Sequence, residues 1–173
     1  MARPTLSRDG IEVHRFNLLA LIAVPLFALF LQVSIPLRFP SFSLFDLPLL
    51  VTIFFAVARR NQVFGTITGC VIGLFQDSLT HQPLGLFGIA KTVIGYGASS
   101  IGVRIDVENP GSRLIMTFAF YLLHQGIYHI VARNMARMPV AWNWGQELGA
   151  AFANAFLAVI LFTLLDRLKQ RGR

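Results

Sequence analysis

The chain has 173 residues, of which 55% are hydrophobic and 13% are charged, a composition too apolar for an ordinary water-soluble domain. Its formal net charge is +7, but the basic residues form no patch with interleaved aromatic side chains, which argues against nucleic-acid binding. The sequence therefore predicts an integral membrane protein with one membrane domain over residues 1–173.

Six apolar segments approach the roughly 20 residues that a helix needs to cross a bilayer. They cover residues 16–35, 44–58, 63–79, 84–103, 114–132 and 145–165. The second segment is short and begins close to Asp46 and Pro48, so a five-span arrangement without it is an alternative. We expect an all-α fold, a polytopic bundle of six transmembrane helices.

The distribution of basic residues decides between six and five spans. With six spans, eleven basic residues lie on one side of the membrane and three on the other. The larger group is Arg3, Arg8, Arg15, Arg59, Arg60, Arg104, Arg113, Arg167, Lys169, Arg171 and Arg173, and the smaller is Arg38, Arg133 and Arg137. Because cytoplasmic loops carry an excess of lysine and arginine, the sequence predicts six spans with both termini in the cytoplasm.

Glycines dominate the predicted hairpin of the third and fourth segments. Gly65, Gly69 and Gly73 recur every four residues, so they form one ridge of bare backbone along a helix. Another helix can approach closely there, which makes the ridge a candidate for helix packing or partner binding. The fourth segment has a matching face of small and polar residues: Gly88, Lys91, Thr92, Gly95, Ser99 and Gly102.

Lys91 is the only lysine or arginine inside any apolar segment. A charge in hydrocarbon costs several kcal/mol unless it is paired, hydrated or able to reach the interface, so we expect an acidic partner. Asp77 extends the glycine ridge of the neighbouring antiparallel helix and is the better candidate, with Asp46 second. Such a pair would either fix the packing register or belong to a ligand or partner site.

Further polar residues lie on the fifth and sixth segments. Tyr121, His124, Gln125 and Tyr128 have the spacing of a single helix face, so they form a polar stripe. The stripe either makes interhelical hydrogen bonds or lines a cavity or partner contact. In the six-span arrangement, the outer half of the membrane holds Gln32, Asp46, Asp77, Lys91 and Glu147.

Catalysis has little support in the sequence. There is no metal signature such as HExxH, no glycine-rich phosphate loop before a lysine and a hydroxyl residue, and no recognisable pairing of nucleophile and base. Asp46 and Asp77 could perform acid–base chemistry in an intramembrane enzyme, which is a weak alternative. We therefore expect a protein that is not an enzyme and that has no cofactor and no metal site.

The hairpin carries a specific pattern: a GxxxGxxxG span, the sequence LFQDSL, a short polar turn and the sequence PLGL. In this pattern the chain resembles the rod shape-determining protein MreD family. The family's GLLxDLL-like element falls on residues 73–79, where Ser78 replaces a leucine and Asp77 is kept. Its PLG element falls on Pro83, Leu84 and Gly85.

The resemblance implies a scaffold subunit of the bacterial cell-elongation machinery, which synthesises peptidoglycan at the inner membrane. It implies a direct partner, MreC, and indirect partners, namely MreB, RodA and a penicillin-binding transpeptidase, with membrane lipid around the protein and no small-molecule substrate. The family is also similar in shape to the substrate-binding subunits of energy-coupling-factor vitamin transporters. A transporter subunit of that type is the alternative function.

Overall fold

The computed structural model of the protein describes residues 15–16, 18–102, 109–167 and 169–170. Six α-helices account for most of these residues: α1 (Leu18–Ser34), α2 (Leu47–Arg59), α3 (Gln62–Leu79), α4 (Leu86–Ile101), α5 (Pro110–Asn134) and α6 (Trp144–Asp166). A short 3-10 helix (Pro40–Leu44) precedes α2. The prediction of an all-α fold is confirmed, and each helix overlaps one of the six predicted apolar segments.

The two ends of the described chain meet in a very short antiparallel pair of strands. Strand β1 (Arg15–Phe16) precedes α1, and strand β2 (Lys169–Gln170) follows α6. Arg15 lies opposite Gln170. The start of the first helix and the end of the sixth helix are therefore on the same side of the bundle.

Three helical stretches are long and apolar enough to cross a membrane within the described residues. They are Pro40–Arg59, which joins the 3-10 helix to α2, and the full lengths of α5 and α6. Leu19–Ser34 and Leu86–Ile101 are apolar but shorter. The bundle also exposes many large apolar side chains, among them Phe75, Phe156 and Ile160, as expected of a surface that contacts lipid.

Helix α2 is the centre of the bundle. All residues from Leu47 to Ala58 are buried, and the helix contacts α1, α3, α4, α5 and α6. A helix that is apolar on every side is stable only where other helices surround it, which explains the unbroken run of hydrophobic residues. Arg60, in the left-handed conformation with φ 52°, ends the helix and leads into the tight turn before α3.

Helices α3 and α4 pack closely through the glycine ridge. A Cβ atom built on Gly69 would lie 2.1 Å from the carbonyl oxygen of Lys91, and one on Gly73 would lie 2.4 Å from that of Phe87. A Cβ atom on Gly65 would lie 2.4 Å from the carbonyl oxygen of Gly95. The ridge therefore contacts α4 within the chain, and only glycine permits this backbone approach.

A candidate charge site in the membrane helices

Asp46 is the N-cap residue of α2. Its side-chain Oδ1 accepts a hydrogen bond from the backbone N–H of Leu49 at 2.9 Å, so it caps the helix. Because Oδ1 is occupied by the cap, the second carboxylate oxygen, Oδ2, is left to face the neighbouring helices. The residue is buried, with 9% of its surface exposed.

Lys91 is fully buried and forms an ion pair with Asp46. Its ammonium Nζ lies 2.7 Å from Oδ2 of Asp46, and the side chain has no exposed surface. The same nitrogen lies 4.8 Å from the centre of the Phe87 ring, one helical turn earlier on α4, a cation–π distance. The charge pair thus joins the central helix α2 to α4 inside the bundle.

His124 brings a third helix, α5, to the pair. Its Nε2 lies 3.2 Å from Nζ of Lys91 and 3.9 Å from Oδ2 of Asp46. Because a lysine ammonium can only donate hydrogen bonds, we assign Nε2 as the acceptor, which places the imidazole proton on Nδ1. The His124 ring stacks on Phe87 with an interplanar angle of 3°, so its orientation is also fixed by packing. We refer to Asp46, Lys91 and His124 as the buried charge cluster.

Two amide side chains hold the segment that carries Asp46. Asn154 on α6 accepts a hydrogen bond from the Asp46 backbone N–H and donates one to the Leu44 carbonyl, both at 2.9 Å. Gln32 on α1 donates to the carbonyl of Phe45 at 2.9 Å and accepts from the N–H of Leu47 at 3.0 Å. Helices α1 and α6 therefore position Asp46 through its backbone.

The structure corrects the predicted ranking of partners for Lys91. Asp77, expected to be the better partner, instead binds the start of α4: its carboxylate accepts hydrogen bonds from the backbone N–H groups of Gly85, Phe87 and Gly88 at 2.8, 2.9 and 3.1 Å. These N–H groups lack partners within the helix, so a buried carboxylate satisfies them well. The lysine side chain meanwhile points away from α3, toward α2 and α5.

The remaining predicted residues of the hairpin shape its turn. Gly85 has φ 104°, a left-handed conformation that favours glycine, and this conformation turns its N–H toward Asp77. The carbonyl of Pro83 accepts a hydrogen bond from the N–H of Leu86 at 3.4 Å. The PLG element and Asp77 together therefore form the α3–α4 turn, and the glycine ridge continues that contact along both helices.

Gln125, which belongs to the predicted polar stripe with His124, is half-buried and is not part of the charge cluster. Its amide nitrogen donates to the hydroxyl of Tyr121 at 3.1 Å. Both side chains line a cleft of about 360 Å³ between the segment before α2, helix α5 and the start of α6. The polar stripe of α5 therefore divides, with His124 in the charge cluster and Gln125 in the cleft wall.

The chemistry of the cluster is that of a fixed charge pair. Among the described residues, no three histidine, cysteine, aspartate or glutamate side chains lie where they could hold one metal ion. Asp46 and Asp77, the two acids considered for acid–base chemistry, have separate tasks, since one pairs with Lys91 and the other caps α4. Each carboxylate is thus used by the fold itself.

The sequence comparisons point to one family. A family model described as rod shape-determining protein MreD matches residues 14–168, nearly the whole chain. A search of curated proteins and a search of solved structures each gave no match. The alternative of a vitamin-transporter subunit is accordingly not supported, and the expected likeness in shape to such subunits stays a prediction.

Proposed function

Because the chain belongs to the rod shape-determining protein MreD family, we propose that it is a non-enzymatic scaffold subunit of the bacterial cell-elongation machinery. In this proposal it maintains rod shape by binding MreC directly. MreB, RodA and a penicillin-binding transpeptidase join through the resulting complex during peptidoglycan synthesis. The observation that carries the proposal is the family match over residues 14–168.

The proposal includes six crossings of the inner membrane with both termini in the cytoplasm. The eleven-to-three distribution of basic residues supports this orientation. The pairing of β1 with β2 supports an even number of crossings, because the two ends of the chain must then lie on one side. The shorter helices α1 and α4 can be accommodated by local thinning of the bilayer and by flanking residues that reach the interface.

The packing of the buried polar groups suits a scaffold. A buried ion pair is weak evidence for added stability, since the cost of removing two charges from water offsets their attraction. The cluster constrains the positions of the helices more than it adds stability. Asp46, Lys91 and His124 meet only when α2, α4 and α5 have one relative position. We infer that the cluster fixes this arrangement and presents a constant surface to the partner protein.

Co-purification tests the proposed function. The full chain, tagged and expressed with MreC from the same bacterium, is extracted from membranes in mild detergent and isolated through its tag. We expect MreC in a constant molar ratio, and rod-shaped cells that lose the protein should become round. As a matched control, Ile160→Leu alters an exposed apolar side chain and should leave MreC recovery unchanged. Recovery of folded protein without MreC would contradict the proposal.

A further inference from the structure

The cleft beside the charge cluster has the size and lining of a ligand site. Its volume of about 360 Å³ falls within the range of small-molecule pockets, roughly 300–1,000 Å³. It is lined by Ser41, Ser43, Leu44, Tyr121, Gln125, Gln146, Glu147 and Ala150. The lining combines hydroxyl, amide and carboxylate groups with a small apolar floor.

Glu147 determines the charge that the cleft prefers. It lies half-buried in the first turn of α6 and has no ion pair or hydrogen bond from its side chain to the other described residues. The helix dipole favours a negative charge there, so the carboxylate is suited to pair with a cation that binds in the cleft. Among the described residues that line the cleft there is no lysine, arginine or histidine, so the lining favours a cation and disfavours phosphate.

The hydrogen-bonding groups favour a primary ammonium over a quaternary one. A primary ammonium has three N–H donors, and the cleft offers the Glu147 carboxylate, the Gln146 amide oxygen and the hydroxyls of Ser41 and Tyr121 as acceptors. A quaternary ammonium donates no hydrogen bond and is usually held by several aromatic rings. Of the lining residues that the structure describes, Tyr121 alone is aromatic.

The position of the cleft points to a lipid as the source of the ammonium. Helix α6 begins at Trp144, and the ring centres of Trp144 and Trp142 lie 5.2 Å apart. Tryptophan is enriched at the level of lipid headgroups. One and two turns further along α6, the exposed side chains of Leu148 and Phe152 present an apolar surface for acyl chains. This assignment of depth rests on the proposed membrane arrangement.

From these observations we propose that the cleft binds the primary ammonium group of an aminophospholipid headgroup. The ammonium lies against Glu147, the phosphate stays at the mouth of the cleft, and the acyl chains follow the outer face of α6. The site is separate from the charge cluster, where Lys91 already occupies Asp46. Binding would hold the segment before α2, helix α5 and helix α6 together from outside.

Native mass spectrometry of the full chain in detergent tests the proposal, with lipids of identical acyl chains. We expect phosphatidylethanolamine to bind about tenfold more tightly than phosphatidylglycerol or phosphatidylcholine, the equivalent of one hydrogen bond between charged groups. Glu147→Gln should remove this preference and leave the affinities for phosphatidylglycerol and phosphatidylcholine unchanged. Adding Gln146→Glu to that variant returns a carboxylate to the lining and should restore part of the preference.

Two further variants serve as controls for the lipid titration. Thr66→Val changes a half-buried residue on α3 whose hydroxyl bonds its own helix, and it should leave lipid binding unchanged. If Glu147→Gln fails to fold, Ser41→Lys introduces a competing cation at an exposed position and should cause the same loss. Equal binding of the three lipids, or a preference that survives Glu147→Gln, would overturn the proposal. Displacement by soluble glycerophosphoethanolamine at the lipid's own concentration would overturn the lipid source.

The lipid titration is independent of the proposed scaffold function, because it uses the isolated protein and no MreC. A variant that loses phosphatidylethanolamine but still recovers MreC would leave the scaffold proposal intact. A protein that binds the lipid but never recovers MreC would leave the lipid site intact. The two proposals can therefore fail separately.

Discussion

The ammonium of Lys91 and the carboxylate of Asp46 lie 2.7 Å apart, although 45 residues separate them in the chain. A small movement cannot bring either group to water or to another ion-pair partner, because the lysine is fully buried and the aspartate also caps α2. Loss of either charge should leave the other one unpaired in the interior.

A double-mutant cycle with Lys91→Met and Asp46→Asn should show strong coupling. The asparagine keeps an oxygen for the α2 cap, so the substitution removes mainly the charge. Each single variant should lower the free energy of unfolding by about 3–5 kcal/mol, and the double variant should lose clearly less than their sum. Reversible unfolding in mixed detergent micelles gives these values. Simple additivity would show that the two side chains do not act as a pair.

Asp77 should behave as a helix cap and not as the partner of Lys91. Asp77→Ala leaves three backbone N–H groups of α4 without their acceptor, so we expect a loss of about 1–3 kcal/mol in the free energy of unfolding. Combined with Lys91→Met, it should show far smaller coupling than Asp46→Asn does. Coupling as strong as that of Asp46 would restore Asp77 as the ion-pair partner.

The glycine ridge should be intolerant of even one methyl group. Gly69→Ala places a Cβ atom 2.1 Å from the Lys91 carbonyl oxygen, so α3 and α4 must separate. We expect a loss of about 1–3 kcal/mol or more in the free energy of unfolding, the usual cost of overpacking. Gly126→Ala and Gly149→Ala are matched controls, since a Cβ atom there meets nothing within 4 Å. Equal effects at all three positions would argue against the close contact.

The positions of the helices could be predicted because each depends on a local run of apolar residues. The pattern missed the role of α2: the short second segment suggested a doubtful span, whereas α2 is the most buried helix. Its signal was present in the sequence, since Leu47 to Ala58 has no polar face beyond Thr52. A helix without a polar face is expected at the centre of a bundle.

The partner of Lys91 could not be predicted from helix adjacency alone. The neighbouring antiparallel helices α3 and α4 do pack together, but Gly69 contacts the backbone of Lys91 while the side chain leaves in another direction. The role of Asn154 could not be predicted from local spacing, because its partner Asp46 is 108 residues away. Contacts at such separation depend on the order in which helices pack around α2, which no local spacing reveals.

We expect the side chain of Asn154 to stabilise the folded protein, because it holds the backbone of the segment that carries Asp46. Asn154→Leu removes the hydrogen bonds to Asp46 and Leu44 and leaves their backbone groups unsatisfied inside the bundle. We expect a loss of about 1–3 kcal/mol in the free energy of unfolding, with weaker coupling between Asp46 and Lys91 in the cycle above. Thr163→Val, on the exposed side of the same helix, should have a smaller effect. An unchanged cycle in the Asn154→Leu background would show that this brace does not position Asp46.

Reporter fusions should place both ends of the chain in the cytoplasm. A reporter enzyme that is active only outside the cytoplasm should be inactive when fused after Arg173 and active when inserted after Met138, between α5 and α6. Insertion after Gln82, in the α3–α4 turn, should match Met138, because both turns lie at the same end of an antiparallel bundle. Insertion after Arg60 should match Arg173, since the α2–α3 turn lies at the opposite end, with the arginines that the cytoplasmic side favours. If instead the C-terminal fusion were active, the cytoplasmic orientation would be wrong. If the Arg173 and Met138 reporters gave the same result, the proposed crossing by α6 would be wrong as well.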